Sequence, residues 1–343
     1  MTTNQQEPIS SSIIQSVPSQ PSTHHQHHDQ YSGTIYDPDA DLIPVQQDDL
    51  IRLKIFIPFA TLSALFANLV SAIIIKPSMG EINNRYYTLV TPDPIFIGLY
   101  WIVLFTLLVV LTFMIVFTSN QRYRTEQTKQ LFVNALGFRY VLALFCFTLW
   151  PFFWAGRLMS VAAALLIIIF GLLLSIHFSL LRNFPTSALK RPFSFLFVHL
   201  PLRLFLLVLW QVDILQTVLI ALGWYKIRPD GEWEAHHRAH VWIVFGLIIA
   251  IGVINSLVTL LMEDVIWTIG SIWLTAGVIR GGGGRMGKLG EEPLLAGTMI
   301  GLAALQLLCL AGTIGAKIGR VRKLRREQAI QLPVDDDPSV IEG

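Results

Sequence analysis

Charge is what this sequence has least of. Only 14% of its 343 residues are Asp, Glu, Lys or Arg, against roughly 25% in an ordinary soluble domain. So few charges do not cover a globular surface, which excludes a soluble enzyme, a disordered chain and a coiled coil. Cysteine is scarce as well. Cys146 and Cys309 both sit in apolar runs and read as buried thiols, not as a disulfide framework. Lys and Arg are absent from residues 1–50, which hold seven acids. There is no basic domain, so no nucleic-acid partner is expected. Nor does a charged segment with a short apolar run open the chain. No cleaved signal peptide is expected, and the first apolar run, near Ile55, itself targets the membrane.

What remains is hydrophobicity: 53% of residues and a mean hydropathy of +0.57. A helix needs about 20 residues to cross about 30 Å of hydrocarbon. Eight runs qualify as candidates: Ile55–Ile75, Pro94–Phe117, Leu136–Trp154, Leu158–Leu181, Phe195–Gly223, His240–Met262, Val265–Ile279 and Leu294–Ala316. Val265–Ile279 is short. Lipid-exposed open sheets leave backbone groups unpaired, and continuous apolar runs lack the alternation of a barrel strand. The expected fold is therefore all-α, a polytopic transmembrane helical bundle of about eight spans, in contact with membrane lipid. Residues 1–50, rich in Ser, Gln, Pro, His and Asp, read as a disordered tail. Residues 51–318 read as the membrane domain and 319–343 as a C-terminal tail.

Orientation follows from Lys and Arg. With eight crossings, the side of the N-terminus collects fifteen, including all six between Lys317 and Arg326, and the other side collects nine. The bias predicts both termini in the cytosol. The organelle is not encoded. Trp150 and Trp154 at the end of the third run, Trp224 and Trp233 after the fifth, and Tyr86, Tyr87, Tyr100 and Trp101 around the second read as interfacial anchors.

Two motifs fail on context. Arg280 to Gly290 reads RGGGGRMGKLG, which formally resembles a dinucleotide or phosphate loop. A membrane run precedes it where a buried strand is required, and Leu289 stands where magnesium needs Ser or Thr. A flexible basic loop is the better account. His236, His237 and His240, with Glu232 and Glu234 nearby, have metal-ligand spacing on a helix. They form one such box only, and a wet loop leading into a helix is favoured. No metal and no cofactor are expected.

Polar groups inside spans are the better leads, because each is costly in hydrocarbon unless paired or hydrated. Arg203 and Asp213 lie ten residues apart in the fifth run, about 15 Å along a helix, too far to pair. Arg203 is expected to snorkel to the headgroups. Asp213, beside Trp210 and Gln211, then needs a partner on another helix, water or a ligand. Asn68 and Asn255 are placed to hydrogen-bond between helices, and Gly297 and Gly301 to bring helices close. Glu263 and Asp264 read as a wet turn or as a cap on the seventh run.

One stretch carries more. Asn83 to Trp101 reads NNRYYTLVTPDPIFIGLYW before entering a hydrophobic span. It resembles relatives of the tryptophan-rich sensory protein, the translocator or peripheral benzodiazepine-receptor family, in which a Tyr-Pro-Thr-Leu-Phe-Thr-Pro loop leads into a Phe- and Trp-bearing helix. Tyr86, Thr88, Leu89, Thr91, Pro92 and Phe96 match. Tyr87 replaces the family's Pro, and its helix Trp falls on Tyr100, with Trp101 one step late. Arg191-Pro192-Phe193-Ser194, and Asp264 with Trp267 and Trp273, look like the corresponding later helices. The resemblance implies a helical bundle that binds planar hydrophobic ligands such as sterols or tetrapyrroles in an aromatic-lined cavity. It also implies five core spans, with the others added.

The expected function is thus non-enzymatic: binding or transport of a small hydrophobic or amphipathic ligand, with assembly into a homo-oligomer left open. The candidate ligand-binding residues are Asp213, Trp210, Arg203, Trp273, Trp267 and Asn68. The alternative is a structural or assembly protein of the membrane in which Asp213 pairs with a neighbouring helix.

Overall fold

A computed structural model of the protein describes residues 47–117, 129–184, 195–227, 232–281 and 287–330. Most of the acidic tail and the Arg191–Ser194 segment lie outside the described residues. The elements in chain order are α1 (Gln47–Ile73), α2 (Met79–Arg85), β1 (Tyr86–Tyr87), α3 (Pro94–Phe117), α4 (Leu131–Ala155), α5 (Met159–Asn183) and α6 (Phe195–Ala221). There follow β2 (Lys226–Ile227), α7 (His237–Met262), α8 (Val265–Arg280), α9 (Lys288–Glu291) and α10 (Pro293–Ile330). A helix covers every one of the eight apolar runs. Among the described residues, seven helices are long and apolar enough to cross a membrane, and α8 is a shorter apolar helix of 16 residues. The fold is an all-α polytopic membrane bundle.

Helix starts are written locally. Ser78 and Glu81 form a reciprocal capping box on α2, the Glu81 carboxylate accepting from the Ser78 N–H at 2.8 Å. Asp93 accepts from Ile95 N–H at 2.9 Å just ahead of Pro94, which opens α3. Asp264 caps α8, its Oδ1 accepting from the N–H groups of Ile266 and Trp267, both at 3.1 Å. α6 is irregular. Its turns at Phe195–His199 and Leu209–Asp213 are π-helical, and the second of these ends on Asp213.

The turns sort to two ends of the bundle. At one end β1 pairs antiparallel with β2, Tyr86 opposite Ile227 and Tyr87 opposite Lys226. There Lys288 is 1% exposed and donates to the Tyr87 hydroxyl at 2.6 Å and the Thr88 carbonyl at 3.2 Å. The connections after α1, α6 and α8 therefore meet, as an alternating series of crossings requires. Residues 282–286 of the glycine-rich stretch lie outside the described residues, but its Lys288 is a buried anchor and not a loose basic group. At the turn between α7 and α8, Glu263 holds Lys317 at 2.6 Å and Arg320 at 2.7 Å of α10. α10 runs helically past residue 319 to Ile330.

α4 packs between α1 and α5, α5 against the second half of α6, and α7 and α8 against α10. The close helix contact is not at Gly297 or Gly301, where an added Cβ would meet nothing within 4 Å. Within the chain, close contacts are at Gly252 of α7, where a Cβ would come within 2.5 Å of Leu302 Cδ1 on α10, and at Gly270 and Gly277 of α8, where it would come within 2.9 Å of Leu207 and of Phe96. Small residues permit approach, but the facing side chain decides where it happens.

A candidate ligand cavity beneath the α2 loop

Arg203 and Asp213 have different fates. Arg203 is buried and does not snorkel. Its Nη1 lies 2.5 Å from Asp264 Oδ2, with the two side chains only 10% and 2% exposed. Asp264 thus serves twice, one oxygen capping α8 and the other neutralising α6. The wet turn expected there is dry at Asp264. Its neighbour Glu263 takes the surface role.

Around this pair, α6, α7 and α8 share a hydrogen-bonded seam. Gln211 Nε2 donates to the Ser271 carbonyl at 3.0 Å and to Thr275 Oγ1 at 2.8 Å. Asn255 Nδ2 donates to Ser271 Oγ at 3.0 Å, while Asn255 Oδ1 accepts from the Trp267 indole N–H at 3.2 Å. Asn255 therefore has the interhelical role expected of it, and Trp267 is its partner. The cavity bordering this seam measures about 40 Å³. That suffices for a water or two and not for a ligand.

Asp213 is outside the seam. It is 8% exposed, and among the described residues nothing donates a hydrogen bond to its Oδ2. It borders a cavity of about 200 Å³. Met79, Gly80 and Asn83 of α2, with Pro92 and Pro94, roof this space. Ile97 and Trp101 of α3 and Trp150 and Trp154 of α4 form its walls, and Asp213, Gln216 and Thr217 of α6 its polar side. Asp213, Gln216 and Thr217 are spaced three and four apart and share one helix face. The amide of Gln216 is hydrogen-bonded to Asn83, which ties roof to wall. The Thr217 hydroxyl donates to the Asp213 carbonyl at 2.6 Å.

The walls are themselves fixed. The Trp101 and Trp150 rings stack on Phe147 at 5.4 Å and 5.8 Å, and the Trp154 ring lies 5.8 Å from Trp150. Phe205 of α6 meets Phe147 edge-on at 5.0 Å. The indole N–H groups of Trp150 and Trp154 are buried and have no partner among the described residues. Three of the residues expected to be interfacial anchors, Trp101, Trp150 and Trp154, thus line a cavity.

A second, apolar space adjoins the first. It measures about 690 Å³ and lies between α1 and α3, bordered by Leu62, Phe66, Asn68, Leu69, Ile102 and Phe105. Met79, Trp101 and Trp150 border both spaces. Phe66 is 68% exposed and Ile102 63%, so this groove opens sideways, toward where acyl chains lie.

The structure brings two of the six expected residues near these spaces: Asp213 to the inner cavity and Asn68 to the groove, where its amide also donates to the Ala64 carbonyl at 2.8 Å. Arg203 is committed to Asp264 and Trp267 to Asn255. Trp210 stacks on Phe170 of α5 at 5.8 Å. Trp273 is 39% exposed, and its indole donates to the Phe96 carbonyl at 3.0 Å. The residues missed were Trp101, Trp150, Trp154, Asn83, Gln216 and Thr217. The three-and-four spacing behind Asp213 was the available signal.

His237 and His240 are also accounted for. His237 faces Glu292 at 2.8 Å and stacks on Trp233, and His240 contacts Glu234 and stacks on Trp224.

No curated protein and no solved structure matches the chain. A family model described as TSPO-like protein matches residues 54–311, from α1 through most of the apolar part of α10. That range is well over half of the 343 residues and takes in the roof, walls and polar side of the cavity together. The chain belongs to the TSPO-like protein family.

Proposed function

We propose that this membrane protein binds a small hydrophobic or amphipathic ligand, of the flat size and shape of a sterol or tetrapyrrole, in the tryptophan-walled cavity beneath α2. The observation that carries the reading is Asp213: a buried carboxyl without a described donor, bordering a space that shares Met79, Trp101 and Trp150 with a neighbouring apolar groove. Buried polar groups are nearly always satisfied, and a ligand or the water it displaces is what can satisfy this one. Size supports the same reading. The groove falls within the roughly 300–1,000 Å³ usual for ligand sites, while the inner cavity alone is below it. A ligand filling both places its polar end inward and its body toward lipid.

The reading is of a binder or carrier and not of a catalyst. Among the described residues bordering the inner cavity, Asp213 is the one ionisable side chain, and general acid–base chemistry needs a positioned partner. The termini are read as cytosolic, from the basic excess on the side of Lys317–Arg326.

Tryptophan fluorescence of the full chain in nanodiscs, titrated with a sterol and with a tetrapyrrole, tests the proposal. Saturable quenching is expected, weakened on the order of 10-fold by Trp101→Leu. No saturable response to either ligand, or an unchanged response in the variant, refutes it. Protease protection of tags at each end of the chain tests the orientation.

A further inference from the structure

We infer that the cavity selects amphiphiles whose head is an alkylammonium group, with Asp213 as the counter-charge and Trp101, Trp150 and Trp154 as the surrounding rings. This rests on the proposed binding site and adds the chemical class of its ligand.

Charge is the first argument. Arg203, the one Lys or Arg within α6, is spent on Asp264, and His199 of the same helix does not border the cavity. The described residues bordering the inner cavity include no Lys, Arg or His. Asp213 is thus a buried acid for which the described protein supplies no cation. The donors beside it are spent as well, since the Gln216 amide is turned to Asn83 and the Thr217 hydroxyl to a backbone carbonyl. The indole N–H groups of Trp150 and Trp154 are neutral and leave the charge uncompensated.

The walls give the second argument. Indole is the best of the aromatic rings for attracting a cation, and a cation held among such rings away from water gains most. Three tryptophans and one carboxyl border about 200 Å³: a hydroxyl accepts from an indole N–H but gains neither ring-face attraction nor a charge partner, a carboxylate is repelled by Asp213, and an ammonium head gains both. The third argument is adjacency. Met79, Trp101 and Trp150 border the groove too, so an apolar tail attached to that head needs only these side chains to shift to lie between α1 and α3.

The test uses the full chain in zwitterionic nanodiscs and three probes of one chain length: radiolabelled hexadecylamine, hexadecanol and hexadecanoate. Protein-free nanodiscs correct for partition into lipid. Wild-type protein is expected to bind the amine at least ~10-fold more tightly than the alcohol, with the acid weakest. Asp213→Asn is expected to bring the amine down to the alcohol, and Asp213→Glu to keep the preference. Equal binding of amine and alcohol by wild-type protein overturns the inference and leaves the cavity a ligand site. That comparison needs no variant to fold. An Asn variant that folds and keeps the full preference overturns the role of Asp213. Binding of none of these probes, together with no quenching by sterol or tetrapyrrole, overturns the binding site itself.

Discussion

Replacing Asp264 by serine separates two jobs that one side chain performs. Its Oδ1 caps α8 and its Oδ2 pairs with Arg203 at 2.5 Å in a site almost closed to solvent. Serine keeps a side-chain oxygen at the cap and discards the charge. Removing one partner of a buried pair strands the other, at a cost of about 3–5 kcal/mol. Alanine discards the cap as well, adding about 1 kcal/mol. Arg203→Met strands the acid instead but leaves the cap, so it should match Asp264→Ser. The double variant, Arg203→Met with Asp264→Ser, leaves no buried charge and should cost far less than the two single changes combined. Reversible unfolding in mixed micelles, read by far-ultraviolet circular dichroism across this cycle, gives each value. A double variant as unstable as the sum of the singles would refute the coupling. Alanine and serine variants of equal stability would refute the cap.

Other consequences follow from single contacts. Gly281→Ala places a Cβ 2.1 Å from the Thr91 carbonyl oxygen and 3.1 Å from Pro92 C, which are backbone atoms with little room to move. It should lower stability by about 1–3 kcal/mol in thermal melts, whereas Gly297→Ala, in open space inside a helix, should be neutral or gain up to about 1 kcal/mol. Lys288→Met removes the donor to Tyr87 and Thr88, and hydrogen exchange in β1 and α2 should quicken while α5 is unaffected. The Ser78 N–H and the neighbouring Lys76 hold the Glu81 carboxyl below its usual range. Its support of α2 is therefore complete above the ordinary carboxylate range and fades as pH falls through the lowered value. Protection of α2 amides, relative to their intrinsic exchange rate at each pH, should fall in acid in the wild type, and Glu81→Ala should show that lower protection already at neutral pH.

The spans were legible because hydrocarbon thickness imposes one length on every helix, and apolar runs of that length need no knowledge of their neighbours. The start of α8 was legible in Asp264, whereas the caps that Ser78 and Asp93 supply to α2 and α3 emerged only with the structure. Partners were not legible. Arg203 and Asp264 are 61 residues apart, and nothing in either neighbourhood announces that α8 returns alongside α6. Trp150 and Trp154 end a span, where tryptophan commonly marks the headgroups, and sequence alone does not show that α2 folds over them to make an enclosure. Gly297 and Gly301 have the right spacing for close contact, but spacing within one helix says nothing of what stands opposite, and there the answer was empty space.

The helices after α6 bear directly on the chemistry of the cavity. Suppose α6 kept only its earlier neighbours. Arg203 and Asp213 would then be two unpartnered ionisable groups about 15 Å apart along one helix, each needing its own water, headgroup or ligand. α8 changes that balance by bringing Asp264 to Arg203. The basic end of α6 becomes neutral, dry and sealed. The acidic residue, at the end of the π-helical turn that follows Val208, is left as the carboxyl that nothing described in the fold answers. The same short helix reaches the roof from the other side, since Gly281 at its end packs on the Thr91–Pro92 backbone and Lys288 beyond it holds Tyr87. α8 therefore withholds the internal cation and helps close the lid over the space Asp213 borders. Shortening the link between α8 and α10 should disturb ligand binding without touching a cavity residue. If binding persists unchanged when Lys288 and Tyr87 are separated by Lys288→Met, the roof is not held from that side.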